Sequence, residues 1–441
     1  CIRDSYTNYT DFAPVNRFWD TDRVMRDPKG DLITAWPRCY SPKALFAVEM
    51  DRILAPRIKS KFGSNAAYTD VHTAVAPWDR TDYDARVPGA GTFTATFYAY
   101  GEILLNDQRV YDSHCWSEGN HQWLYAGLAT GNYALRYSDL DYRTYPYLPH
   151  FDLLKIHPLS VDIGMPWTAR FFRNADHWDS EENITASIDR FLAATIAYGH
   201  IGWLVEEGHG IRQTARSYYM MQQLQSRYVM EKPEAILYGS SEGLIESSQA
   251  LLDGSWKDSK IYIRYPNGLE IWVNGYPDST WAVQAPSGLY TLPPFGWVAV
   301  QPDDFFEASA LSQGHRYDEV ASPEYIFLDG RGVFRRNSGI GFSGSLAVRK
   351  LQTGGGLSIT LVEGIGNIEI GETGSEHLFD DVRTEITRVA RARSIRVKAF
   401  DLEGRECPAP KTSREDTRWI IQPTAGAVRY AIDCTEAALD E

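Results

Sequence analysis

No apolar run in this chain approaches the roughly 20 residues that a membrane-spanning helix requires, so no membrane span is expected. Positive charge is not in excess either: 44 Lys and Arg stand against 58 Asp and Glu, a net charge of −14. Phosphate backbones and anionic membranes are gripped by basic patches, so nucleic acid is not expected as a partner. Cysteine is scarce and unpatterned: Cys1, Cys39, Cys115, Cys407 and Cys434 are odd in number and form no CxxC spacing. That distribution argues against a zinc cluster or a disulfide scaffold, and leaves open a single Cys407–Cys434 bridge. An initiating Met is missing, and the chain runs from Cys1 straight into Ile2-Arg3-Asp4. This reads as numbering that begins inside a domain, with no charged n-region and apolar h-region to mark a signal peptide. Internal repeats and low-complexity tracts do not stand out.

What is present suits a folded, aromatic-rich protein. With 441 residues, two or three domains are expected, and an apolar share of 43% suffices for packed cores. The 13 Trp and 26 Tyr exceed ordinary usage. Most such rings fill cores, but rings left in a cleft stack on flat, weakly polar ligands such as sugars.

Residues 1–235 alternate strand-like and helix-like segments. Ser41-Pro42 opens a helix over 44–61, with Leu45, Val48, Ile53, Leu54 and Ile58 near helical spacing. A buried strand follows at 66–71, then a helix at 91–105 marked by Phe93, Phe97, Tyr100 and Leu104, then a strand at 114–117. Further on, Asp179 and Glu182 form a candidate capping box ahead of a helix carrying Ile184, Ile188, Leu192 and Ile196. A short strand at 199–205 and a helix at 211–228 close the series. Such alternation predicts a parallel sheet. We expect an α/β fold, a (β/α)8-type barrel incomplete at its N-terminus, because only five or six strands fit where eight are needed.

The texture then changes to antiparallel β. Alternating 260–265 leads through Asn267-Gly268, a hairpin signal, into 269–274. Gly354-Gly355-Gly356 reads as a linker. Two β-sandwich domains are expected, at 236–352 and 357–441.

The residues that promise chemistry lie at two strand ends. Asp70 sits in Ala66-Ala67-Tyr68-Thr69-Asp70-Val71-His72-Thr73, and Glu118 in Cys115-Trp116-Ser117-Glu118-Gly119-Asn120-His121-Gln122-Trp123. A helix separates them, so both carboxyls should emerge at the same end of neighbouring parallel strands, where a barrel keeps its chemistry. Paired carboxylates among aromatic side chains are what glycoside hydrolysis needs. Burial against Trp116 and Trp123 would keep Glu118 protonated as a general acid, while Asp70 would stay ionised as the nucleophile. Asp4, Trp36, His72, Trp116, Asn120, His121 and Asp162 are candidate sugar contacts. Glu206 is a second candidate acid. Asp70-x-His72 with a further His would instead suit a metal-dependent hydrolase, and a non-catalytic carbohydrate-binding protein is the other alternative.

At the strand Tyr68-Thr69-Asp70-Val71 and the later Ser117-Glu118-Gly119, in that order, the sequence resembles the endo-α-N-acetylgalactosaminidase group of retaining glycosidases. That group is distantly related to the α-galactosidase clan. The resemblance covers about residues 1–230 and implies Asp70 as nucleophile and Glu118 as acid/base. It also implies an oligosaccharide or glycan substrate with α-linked galactose or N-acetylgalactosamine, no cofactor or metal, and an extracellular or periplasmic setting. The 48 residues between the acids leave room for an enlarged loop at 78–91 that would reshape the pocket.

Overall fold

The computed structural model describes residues 12–35, 37–118, 121–133, 146–151, 161–162, 180–202, 204, 210–352, 355–364, 366–372 and 382–434. The chain divides into two compact units, Cys1–Asp141 with Phe151–Arg173, and Tyr142–His150 with Asn174–Glu441.

In the first unit, helix α1 (Ala44–Phe62) ends where Gly63 turns left-handed at φ +68 and its N–H bonds the Lys59 carbonyl. Strand β1 (Ala67–Thr69) follows, then α2 (Thr94–Tyr111), β2 (Cys115–Glu118), β3 (Gly131–Tyr133) and β4 (Val161–Asp162). The four strands pair in parallel in the order β1-β2-β3-β4. Period-two alternation sorts the side chains of β1 and β2 into two rows. Ala67 and Cys115 join a core with Ala47, Val48 and Ala55 of α1 and Ala99, Ile103 and Leu104 of α2. Tyr68 and Trp116 form the opposite row and are half-buried. The helix-facing row closes one side of the sheet, and the other row leads up to the two acids.

The expected face of α1 needs correction. Leu45 and Ile53 are exposed, while Ala44, Ala47, Val48, Asp51 and Ala55 turn inward. Helix α2 starts later than expected and runs further, because Asp107 and Tyr111 continue its buried face beyond Leu104. A closed eight-stranded barrel is not formed among the described residues. The strand expected at 199–205 shows, among its described residues, no more than a single bridge position at Ile201.

The second unit opens with α3 (Glu181–Tyr198) and α4 (Ile211–Tyr228). The N-cap of α3 is Ser180, whose Oγ accepts from the Asn183 N–H at 3.2 Å, rather than the expected Asp179 box. Ile188, Leu192 and Ile196 are buried as the periodicity predicts. A buried ionic lattice includes both helices: Arg216 of α4 bonds Asp189 of α3 and donates to Asp318 Oδ2 at 2.7 Å, and Arg331 donates to Asp189 Oδ1 at 2.7 Å. Removing one member would strand the others in low dielectric.

Antiparallel pairing then links every strand from Ala235–Ser240 to Arg429–Cys434, the β-sandwich-like part of the molecule. The Asn267-Gly268 hairpin forms as read, with Arg264 opposite Glu270. Two apolar clusters lie within, one around Tyr262, Trp272, Val298 and Tyr317, the other around Ile326, Phe342, Leu357, Trp419 and Ile432. The second cluster spans both sides of the glycine triplet. Gly355 and Gly356 belong to the connection between paired strands, Lys350 lying opposite Leu357, so they do not act as an interdomain linker. Cys407 and Cys434 are free thiols.

Candidate active site

Strand register builds the site. Thr69 lies opposite Ser117, so Asp70 and Glu118 occupy the next step on adjacent parallel strands, about 4.8 Å apart at the backbone. Their carboxyls meet: Asp70 lies within hydrogen-bonding reach of the Glu118 side chain. The backbone N–H of Val71 donates to Glu118 Oε2 at 2.8 Å. Burial, followed by the bond to Asp70 and its charge, pushes the Glu118 carboxyl up to about 7, against the opposing pull of the Val71 N–H. A neighbouring carboxyl disfavours ionisation, and Glu118 is the member whose proton is held more tightly.

The loop after β1 holds this arrangement. Val71 adopts φ +63, rare for a β-branched residue, and the His72 N–H closes back on the Asp70 carbonyl at 2.8 Å. These are the marks of a strained γ-turn. Strain of this kind persists only where its surroundings impose it. Here the Thr73 hydroxyl donates to the Glu118 carbonyl, and the His121 N–H donates to the Thr73 carbonyl at 2.8 Å. The loops that follow β1 and β2 are thereby sewn together around the two acids.

The other expected contacts separate into distinct cases. His72 is not a surface ligand: it is 1% exposed, its Nδ1 faces the Asp70 carbonyl at 2.8 Å, and its ring meets Tyr100 edge-on at 4.9 Å. Burial pulls its pKa down to about 4, so the imidazole is neutral at pH 7. Trp116 lies over Gly131, where a Cβ would fall inside the indole ring, so this Trp packs on the neighbouring strand. His121 stays partly exposed and meets Trp78 edge-on at 5.4 Å, and Trp78 in turn meets Phe93 at 6.3 Å. Trp78 is 48% exposed and leaves part of an indole face open beside His121.

The backbone of Asp162 pairs with that of Asn132, at the register step of Ser117, one step before Glu118. Asp4, Trp36, Asn120 and Glu206 lie outside the described residues. Among the described residues, no group of three or more His, Cys, Asp or Glu is arranged to hold a metal ion.

Sequence reasoning missed a second carboxyl pair beneath the site. Asp51 of α1 and Asp107 of α2 are both fully buried, and each influences the other. Asn106 Nδ2 donates to Asp51 Oδ2 at 2.6 Å, whereas neither Asp107 carboxyl oxygen has a hydrogen-bond partner among the described residues. The signal was an acid at a helical spacing otherwise filled by Tyr100, Leu104 and Tyr111.

No protein-family model matches the chain, and no curated protein matches it.

Proposed function

We propose that the chain is a retaining glycoside hydrolase whose first unit derives from a β/α barrel, with Asp70 as nucleophile and Glu118 as acid/base. One observation carries this reading: two carboxyls in contact at the C-terminal ends of adjacent parallel strands, one of them protonated near neutral pH. The unbroken order β1-β2-β3-β4 supports a barrel over a doubly wound sheet, which needs a switch in strand order. The motif resemblance supplies the substrate class, an α-linked galactose or N-acetylgalactosamine in a glycan.

In the reaction, an Asp70 carboxylate oxygen attacks the anomeric carbon as its bond to the glycosidic oxygen breaks. The Glu118 proton passes to that departing oxygen. Water then attacks the same carbon and gives a proton to Glu118, and the ester to Asp70 breaks to release the sugar. Retention needs the carboxyls about 5–5.5 Å apart. The Asp70–Glu118 contact is closer than that, so this mechanism requires the two carboxyls to part around the sugar, with the Val71 N–H holding Glu118. In the full chain, Asp70→Ala should reduce hydrolysis of an aryl α-galactoside or α-N-acetylgalactosaminide to background. Wild-type turnover in that variant rejects the role.

A further inference from the structure

We infer that the antiparallel unit carries a second ligand site, a cleft for a neutral saccharide lined by Tyr290, Glu319, Asn337 and Ser338. The cleft has a volume of about 670 Å³, within the usual range for small-molecule pockets. It lies in the second unit, so it stands or falls apart from the hydrolase reading.

Glu319 is the acid around which the lining is built. It belongs to strand His315–Ala321, where alternation sets it on the same row as Tyr317 and Ala321. Tyr317 belongs to one apolar cluster and Ala321 to the other, and Phe306 packs against both. A carboxyl at the junction of two hydrophobic cores, 4% exposed, is costly unless something is gained from it. The hairpin between Tyr325–Asn337 and Ile340–Lys350 is shaped to hold it. Ser338 and Gly339 both take positive φ, +48 and +79, as a two-residue hairpin turn requires. That turn brings the Ser338 hydroxyl to Glu319 Oε1 at 2.8 Å, and the Asn337 amide donates to Oε2. The carboxylate is thus fixed in the cleft lining with an orientation set by two donors.

The rest of the lining indicates the ligand class. Tyr290 is half-buried, its ring 5.7 Å from Phe306 and tilted by 34°, so it offers a ring face of the kind that sugar C–H groups cover. The lining holds the guanidiniums of Arg336 and Arg383 and the acids Asp303, Asp304 and Glu319, of which Arg336 is already paired with Glu369 and Asp304 with Arg227. A phosphate or sulfate would meet those three acids, whereas a neutral polyol can donate to carboxylates and accept from guanidiniums. An aromatic face, an oriented carboxylate and a lining of mixed sign together select a neutral saccharide.

The test uses the full chain carrying Glu118→Gln, so that ligand is not consumed. Raffinose and the disaccharide Galβ1-3GalNAc are titrated by calorimetry, with ATP and a heparin tetrasaccharide as anionic probes. We expect a neutral sugar to bind, and Tyr290→Ala and Glu319→Gln each to weaken it about tenfold or more, as for loss of a stacking ring or an oriented acceptor. Trp78→Ala should leave this binding intact. Thermal melting of each variant distinguishes lost binding from lost folding, and Tyr290→Ala alters only a half-buried ring. Absence of binding by either neutral sugar at millimolar concentration overturns the proposal. Preference for the anionic probes overturns it too, as does binding that survives both cleft variants and is lost with Trp78→Ala.

Discussion

Replacing Glu118 by Gln is expected to slow cleavage of alkyl or glycosyl α-galactosides by about 10²–10⁴-fold, the usual contribution of a positioned general acid. An alkoxide leaves poorly without a proton, and Gln cannot give one. A nitrophenolate leaves well unassisted, so the first bond cleavage of a nitrophenyl glycoside should be affected far less. The pH dependence follows from the raised carboxyl. Glu118 is pushed up to about 7, so its acid form predominates below that pH and is lost above it. Wild-type kcat/KM should therefore fall as pH rises through about 7, and the Gln variant should lack that limb. Equal losses on both leaving groups would show that Glu118 does not protonate the departing oxygen.

The second large effect is on stability. Burial, opposed by the Asn106 amide, pushes Asp51 up to about 6; burial and then the charge of Asp51 push Asp107 up to about 8. In the unfolded chain both revert to the ordinary carboxyl value of 3.8. The folded state thus binds protons more tightly, so this stabilisation is complete below about pH 4 and is lost as pH rises through about 6 to 8. At about 1.4 kcal/mol per unit, a loss of about 2–5 kcal/mol is expected across that window. For a unit of this size that lowers Tm by about 5–15 °C. Asp107→Asn keeps the shape and cannot ionise, so its Tm should fall clearly less over the same range, the remaining slope coming from Asp51 and Glu118. A wild-type melting temperature that does not fall towards pH 8 would contradict the account. The groups facing this pair are Asn106, Tyr111, Thr69, Cys115 and Arg52. Of these, Tyr111 and Cys115 are themselves raised to about 12, and so stay neutral throughout the window.

Much of this architecture can be read from the sequence, and the misreadings share a cause. Helices α1 and α2 were legible because their apolar residues recur at helical spacing. The inward face of α1 contains Asp51, which breaks an apolar pattern without breaking the helix; that of α2 is read correctly at Tyr100 and Leu104 but cut short before Asp107 for the same reason. The same blindness hid the second carboxyl pair. That Asp70 and Glu118 converge was legible from two strand ends separated by a helix. Their direct contact was not, since it depends on the Thr69–Ser117 register, which no local signal encodes. His72 was expected beside its neighbour in the pocket, but the left-handed Val71 swings the chain and sends the imidazole into the core. In the antiparallel unit, Asn267-Gly268 specified its hairpin by turn chemistry alone. The glycine triplet misled for the converse reason: glycine suits any positive-φ turn, whether it separates domains or joins paired strands.

The central claim is that the Asp70 and Glu118 carboxyls, in contact at the ends of β1 and β2, act together on a glycosidic bond. Incubation of the full chain with an activated 2-fluoro-α-galactosyl fluoride, followed by peptide mass spectrometry, tests it most directly. The account predicts a single added fluorosugar on the peptide containing Asp70, and none on the Asp70→Ala chain. Labelling at another carboxyl, or hydrolysis of natural α-galactosides without any covalent adduct at Asp70, would contradict it.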